Sequence, residues 1–325
     1  MRTFPRGIYL KHQKHKTENK PIQRLPPPKR VIIPLQQNLG CANEPLVKVG
    51  DEVIEGQKIG DTSKFVSAPV HASIAGKVVQ IERLPNPCGF DVASIVIEAQ
   101  EEITSSSRVG SQWSLEELTP DQIRKIVREA GIVGMGGATF PTQVKITPPQ
   151  DKKIDTIIIN GCECEPYITA DHRVMLEKAE DVIYGALAIA KATGAQRIIF
   201  GIENNKPDAI EKIKLETNKF NSRQFSVVAL KTKYPQGGEK QLIKAILNRE
   251  VPSGGLPLDV GVVVQNVGTA VAVAEAIKWG KPLIERVITV TGSGVKNPQN
   301  LLVRIGTTFA EAVEYCGGLT EDAAK

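Results

Sequence analysis

Aromatic residues make up only 5% of the 325 positions, which argues against a surface built to stack on single-stranded nucleic acid. Cysteine is sparse and irregular: Cys41, Cys88, Cys162, Cys164 and Cys316 contain no Cys-x-x-Cys pair. That argues against a disulfide scaffold or a zinc ribbon, and a reducing, cytoplasmic setting fits best. Long apolar runs are also missing. The most nearly continuous one, 182–190, is far short of the about 20 residues a helical membrane span needs. No direct span is expected, and any membrane link must run through a partner. The first nine residues hold no sustained apolar run, so no secretory signal is expected. A large excess of one sign of charge is missing too, with 41 basic against 36 acidic residues and a net +5.

The excess of positive charge concentrates in Lys11, Lys14, Lys16, Lys20, Arg24, Lys29 and Arg30. This cluster lacks interleaved aromatics and any nucleic-acid motif, so no nucleic-acid partner is expected. It reads either as a solvated extension or as a docking segment for an acidic partner or an anionic membrane surface. The remainder, 41% hydrophobic and 24% charged, has the composition of a globular protein, and its length suits two or three domains.

Residues 1–30 are polar and end in Pro26-Pro27-Pro28, which predicts an extended segment without a packed element. Short β-like runs at 31–33, 46–49, 77–81 and 93–98, punctuated by glycine, predict a small all-β unit over 31–100. Residues 100–111, with Ser105-Ser106-Ser107, read as a linker. Thr119-Pro120-Asp121-Gln122 carries a threonine cap, proline at the first helical position and a glutamine closing a capping box, and Gly131 stops the helix. Strands at 154–159, 197–202, 225–230 and 260–264 then alternate with helices at 174–192, 207–215, 240–248 and 269–279. This pattern predicts a mainly parallel sheet covered on both faces, with ligands bound beyond the strand ends. The tail, with a strand at 286–291, a turn-rich stretch from Val295 and a helix at 309–316, reads as a small α+β appendage.

Four segments carry chemistry. Gly134-Met135-Gly136-Gly137-Ala138-Thr139-Phe140-Pro141-Thr142, followed by Lys145, lets backbone N–H groups approach an anion closely. It lacks the third glycine of the dinucleotide fingerprint and the Gly-Lys-Ser/Thr of a P-loop. Asn160-Gly161-Cys162-Glu163-Cys164-Glu165-Pro166 follows an apolar strand; its carboxylates can accept hydrogen bonds from ribose hydroxyls or an amide. Strand alternation would put Glu163 and Glu165 on one side and the cysteines on the other. Two thiolates without a second pair make a poor zinc set, and no metal is expected. Tyr234-Pro235-Gln236-Gly237-Gly238-Glu239-Lys240 precedes a helix, where a phosphate is favoured. Gln265-Asn266-Val267-Gly268-Thr269 opens another, with Asn266 and Thr269 equally readable as caps. Together, four such loops after the strands of one sheet suggest a phosphate-bearing aromatic cofactor. His172 is expected at the surface or as a cap.

These segments resemble the flavin- and NADH-binding subunit of respiratory complex I. They resemble more closely RnfC, the C subunit of the Rnf ion-translocating ferredoxin–NAD oxidoreductase, over nearly the whole chain, including Leu25-Pro26-Pro27-Pro28-Lys29. The resemblance implies an α/β fold with an N-terminal all-β barrel-sandwich hybrid domain (31–100), a Rossmann-like FMN/NADH-binding domain (114–281) and a C-terminal β-grasp module (282–325). It places Gly134, Gly136, Gly137, Asn160, Cys162, Tyr234, Gly237, Gly238, Glu239, Asn266 and Thr269 around FMN, and Phe140, Lys145, Glu163 and Glu165 at NADH. Met135 stands where the complex I family has arginine, and Cys162 where it has aspartate. Lys64 lacks a Met-Lys attachment signature, so a covalent carrier role is not expected. RnfC proteins normally continue into a region with two [4Fe–4S] clusters. No such cysteine runs occur here, and the expectation is a shortened or natural cluster-free form.

The implied function is hydride exchange between NAD(H) and FMN. It would be performed by a peripheral subunit at the cytoplasmic side of the membrane, among the other subunits of an electron-transport complex. The alternatives are a flavin-dependent cobalamin reductase, which resembles the same domains, and a non-catalytic docking scaffold.

Overall fold

The apolar runs expected as strands form a four-stranded parallel sheet in the order Phe225–Leu230, Arg197–Glu203, Thr156–Gly161, Val262–Asn266. The structure is a computed structural model that describes residues 1–87, 89–100, 113–220 and 224–323. Cys88 and, apart from Gln100, the expected linker lie outside the described residues. The chain builds outward from Thr156–Gly161 to one edge, then returns to add Val262–Asn266 on its other side. The order therefore reverses between those two strands, which end side by side with Asn160 opposite Asn266. In such sheets the crevice at the reversal is where ligands bind.

Successive residues of each strand point to opposite faces. Ile157 and Ile159 join one core with the helices Pro120–Glu129, Ala179–Thr193 and Val267–Trp279. Ile158 joins the other with Leu242, Ile243 and Ile246 of the helix Glu239–Leu247, and with Phe4 from the chain start. The capping box is formed as expected: Gln122 N donates to Thr119 Oγ1 (3.3 Å) and Thr119 N to Gln122 Oε1 (2.7 Å).

The helix expected at 174–192 is two helices, Ala170–Glu177 and Ala179–Thr193, broken at Lys178. No Gly or Pro marks the break. It arises because the first helix begins against the strand-end loops while the second lies along Val267–Trp279. Lys178 pairs with Glu275 of that helix at 2.8 Å.

Residues 31–100 form two antiparallel sheets. One runs Arg30–Pro34, Asp91–Ala99, Gly76–Pro85, Glu52–Val53; the other runs Glu44–Pro45, Lys58–Asp61, Val70–His71. They enclose Val31, Ile33, Val53, Ile59, Val78, Ile95 and Ile97. The strand expected at 46–49 is a turn, with Leu46 and Val49 exposed.

The N-terminal segment is not a solvated extension. Ile22–Arg24 pairs in parallel with Gln299–Arg304, a strand that falls within the expected turn-rich stretch and itself pairs antiparallel with Glu285–Val290. Lys16 and Lys20 donate to the carbonyls of Gly292 (3.1 Å) and Pro298 (2.7 Å).

Glu285 sits buried at the base of this unit against Lys281 (2.6 Å), Arg24 (3.0 Å) and Arg304 (3.3 Å). Burial alone would raise its carboxyl, but Lys281 and then Arg304 and Arg24 hold it at about 2. A carboxyl depressed in the folded state stabilises above its unfolded value and loses that contribution as pH falls toward the folded value. Glu285→Gln is therefore expected to cost about 3 kcal/mol at neutral pH. The difference from wild type in thermal melts should shrink between about pH 4.5 and pH 2.

Candidate functional site

Four loops meet at the reversal point of the parallel sheet. The glycine loop closes on itself, Gly134 N donating to Phe140 O at 2.9 Å. It is tied to the start of the helix Val267–Trp279, where Met135 N donates to Thr269 Oγ1 (3.0 Å). Asn266 caps that helix, accepting from Gly268 N through Oδ1 (2.8 Å), and its Nδ2 donates to Asp171 Oδ2 (2.6 Å). Asp171 N in turn donates to Glu163 Oε1 at 2.6 Å. On the other flank Asn160 Nδ2 donates to Gly237 O (2.9 Å), and Gly237 N to Cys164 Sγ (3.3 Å). Lys145 reaches both Glu239 Oε1 and Val264 O at 2.6 Å.

The helices Ala170–Glu177, Glu239–Leu247 and Val267–Trp279 all begin in this cluster. Helix N-termini with free N–H groups favour an anion.

A cleft of about 270 Å³ opens here, walled by Met135, Gly136, Glu163, Glu165, Asp171 and Gly268, and reaching Arg286 and Leu302 of the C-terminal unit. Gly136, Glu163 and Glu165 of the expected set line it. Tyr234, Gly237, Gly238, Glu239 and Lys145 stand outside that enclosed volume, joined to it through Asn160 and Cys164. Phe140 is half-buried in the glycine loop and Tyr234 is exposed, its backbone paired with Ile8.

The expected alternation holds in outcome, since both glutamates face the cleft and both cysteines face Gly237. The segment is nevertheless a turn, because Thr156–Gly161 has ended and Glu163 has φ +46°. Cys162 is fully buried, with Sγ 3.6 Å from Gly201 O, so its thiol supports the loop from beneath. Burial pushes that thiol well up, and pushes Cys164 to about 11, which keeps both protonated.

Glu163 is buried, and its Oε2 has no hydrogen-bond partner in the protein. Burial, reinforced by the Asp171 carboxylate, pushes it up to about 8, although Lys14 and Lys206 pull the other way. His172, expected at the surface or as a cap, is instead buried within the helix Ala170–Glu177, with Nε2 2.8 Å from Asp208 Oδ1. Sequence reasoning passed over Asp171, which joins the glutamate loop to Asn266, and Arg286, whose Nη2 donates to Met135 O (3.2 Å). Nothing local in the sequence marked either residue.

The site suits a flavin mononucleotide on two counts. A Cβ on Gly137 would meet no atom within 4 Å, so the glycine loop offers open backbone to a ligand. The buried Glu163 Oε2 accepts no hydrogen bond from the protein and has only the Lys14 ammonium near it, at 3.6 Å, so it is left able to accept one from a ligand.

Comparison with known proteins supports this class. Residues 127–275 match the family model described as the Nuo51 FMN-binding domain. Residues 2–102 match the RnfC barrel sandwich hybrid domain, and 287–325 the SLBB domain. The fold resembles a chain of NAD+-reducing [NiFe]-hydrogenase in the H2-reduced state, with TM-score 0.54 and 24% identity over 60% of this chain and 38% of that one. The chain is thus a flavin-domain protein carrying a barrel-sandwich unit.

Among curated relatives, it is 48% identical over its full length to the C subunit of the proton-translocating ferredoxin:NAD(+) oxidoreductase complex of Clostridium ljungdahlii, covering 70% of that protein. It is 46% identical to the Na(+)-translocating counterpart of Acetobacterium woodii, covering 72% of it. It is 40% identical to the C subunit of the ion-translocating oxidoreductase complex of Rhodobacter capsulatus, covering 61%. The chain belongs to the RnfC family, the C subunits of the Rnf ion-translocating oxidoreductase complexes. Neither the cobalamin reductase nor the scaffold alternative is favoured by these relatives. Among the described residues, no helix is long and apolar enough to cross a membrane.

Proposed function

We propose that this chain is the NAD(H)-interacting flavin subunit of a membrane-associated, ion-translocating electron-transport complex, and that FMN and NAD(H) meet in the cleft at the sheet reversal. The observation that carries this reading is the convergence of four loops, distant in sequence, into one hydrogen-bonded cluster containing three helix N-termini. FMN, when bound, supplies the redox chemistry, exchanging hydride with NAD(H) and electrons singly with [4Fe–4S] clusters outside this chain.

The protein's part is to bind and orient. Gly136 and Gly137 offer backbone N–H groups to the phosphate and ring edges, while Gly134, Gly237 and Gly238, whose N–H groups bond to Phe140 O, Cys164 Sγ and Pro235 O, shape the loops that pass close to the flavin. Asn160, Asn266, Thr269 and Glu239 hold the loops that frame the flavin, with Tyr234 and the Cys162 backbone beside them. Phe140 offers an aromatic face to the dinucleotide, Lys145 a positive charge, and Glu163 and Glu165 acceptors for ribose hydroxyls or the carboxamide. The segment 1–30, the barrel-sandwich unit 31–100 and a β-grasp module at 282–325 flank the flavin domain 114–281. Partner subunits hold the assembly at the cytoplasmic face of the membrane.

Addition of FMN to the purified protein is expected to give saturable one-to-one binding by flavin fluorescence. Riboflavin should bind at least about tenfold more weakly, because it brings no phosphate to the helix N-termini. Absence of stoichiometric FMN binding would contradict the reading.

A further inference from the structure

The segment before the first strand reaches under the glutamate loop. Lys14, only 4% exposed, donates from Nζ to the carbonyls of Glu163 (2.9 Å), Glu165 (3.0 Å) and Ile168, and lies 3.6 Å from Glu163 Oε2. His12 O accepts from Tyr167 N at 2.8 Å. Thr169 Oγ1 lies 2.8 Å from both Thr17 Oγ1 and Asn300 Oδ1, which fastens the strap beyond the loop. The loop needs fastening. Glu163 and Tyr167 both adopt left-handed backbone, with φ +46° and +72°, a conformation non-glycine residues hold only when their surroundings enforce it. Three carbonyls that converge on one point repel each other, and an ammonium with three N–H groups answers all of them.

We propose that Lys14 is a positioning residue for dinucleotide binding: carried in by the N-terminal segment, its ammonium gathers the carbonyls of the 163–168 turn and so fixes Glu163 and Glu165 in the wall of the cleft. The holding of the turn stands on this geometry. The consequence for NAD(H) rests on the function proposed above.

Charge acts in the same direction. Glu163 is faced by Lys14 from the strap, Asp171 from the helix Ala170–Glu177 and Lys206 from the loop after Arg197–Glu203. Lys14 is itself faced by Glu163, Lys206, Glu203 and Glu165, and His12 lies nearby. Removing the Lys14 cation leaves Glu163 with less support for its ionised form, so its titration moves to higher pH.

The test is Lys14→Met in the FMN-loaded protein. Hydrogen exchange is expected to show lost protection across 163–171 with the rest of the flavin domain unchanged. The KM for NADH should rise at least about tenfold with kcat within about threefold. FMN content should be retained, and the acid limb of kcat/KM should move to higher pH. The milder Lys14→Gln, which keeps an N–H donor, covers the case in which Lys14→Met does not accumulate, and should show the same split at smaller size. In a Glu163→Gln background the pH displacement should vanish. Unchanged protection at 163–171 in either variant overturns the proposal. So does a general fall in FMN content and kcat with KM unmoved, which is what a merely structural lysine would give. If wild-type protein has no NADH activity, the exchange result still decides whether Lys14 holds the turn, so that failure is separable from failure of the function.

Discussion

Gly137→Ala is expected to leave the ligand-free protein as stable as wild type and to weaken FMN binding by at least about tenfold. A Cβ at this position meets no protein atom within 4 Å, and its backbone is not left-handed. The substitution therefore has no folded-state cost beyond the ±0.5 kcal/mol or so of a surface change. Whatever affinity is lost reports that a ligand occupies the open space. Gly136→Ala provides the contrast. Its Cβ would stand 2.7 Å from Asn266 Nδ2, and Asn266 cannot swing away freely. Its Oδ1 caps the helix Val267–Trp279 and its Nδ2 holds Asp171. This variant should lose both FMN affinity and about 1 kcal/mol of stability, the worth of the cap. Isothermal titration with FMN and thermal melts of the ligand-free proteins separate the two outcomes. Equal FMN affinity in Gly137→Ala and wild type would contradict a flavin lying against Gly137.

A loss of stability as large as that of Glu285→Gln is expected away from the cleft, at Gly185. Glycine in a helix interior is ordinarily unfavourable, and alanine there should gain about 1 kcal/mol. Here the helix Ala179–Thr193 crosses Val267–Trp279 so closely that a Cβ on Gly185 would lie 1.8 Å from Ala270 O. The three nearest atoms all belong to the Ala270 backbone, so the methyl group is accommodated only by separating the helices. Gly185→Ala is expected to cost about 3 kcal/mol, and to lower the melting temperature by on the order of 10 °C. The displacement reaches the site because Ala270 is in the first turn of the helix that Asn266 caps and Thr269 anchors. FMN affinity should therefore fall with stability. A melting temperature equal to or above wild type would mean that the helices do not approach this closely.

What the sequence revealed, and what it concealed, follows from how local each signal is. The helix Pro120–Glu129 was legible to its cap because Thr119, Pro120 and Gln122 specify it among themselves. The strand-end loops were legible because alternating apolar strands and helices fix where loops must open, and glycine and asparagine mark them. The resemblance then supplied the flavin. The contribution of residues 1–30 was hidden. Nothing about a lysine in a polar, proline-rich stretch announces that it is buried against carbonyls 149 and more positions away. Ile22–Arg24 has too few residues for an alternation to register, and it becomes a strand only because Gln299–Arg304 presents an edge. The break at Lys178 was hidden for a related reason, since it is set by the packing of Ala179–Thr193 on a helix almost a hundred residues later in the chain.

The most direct measurement is an anaerobic titration of the FMN-loaded protein with NADH, followed in the visible spectrum. If the cleft at the sheet reversal brings nicotinamide to flavin, the oxidised-flavin absorbance bleaches to an endpoint near one NADH per FMN. A flavin that stays oxidised through excess NADH, in protein that has bound FMN stoichiometrically, would contradict the account.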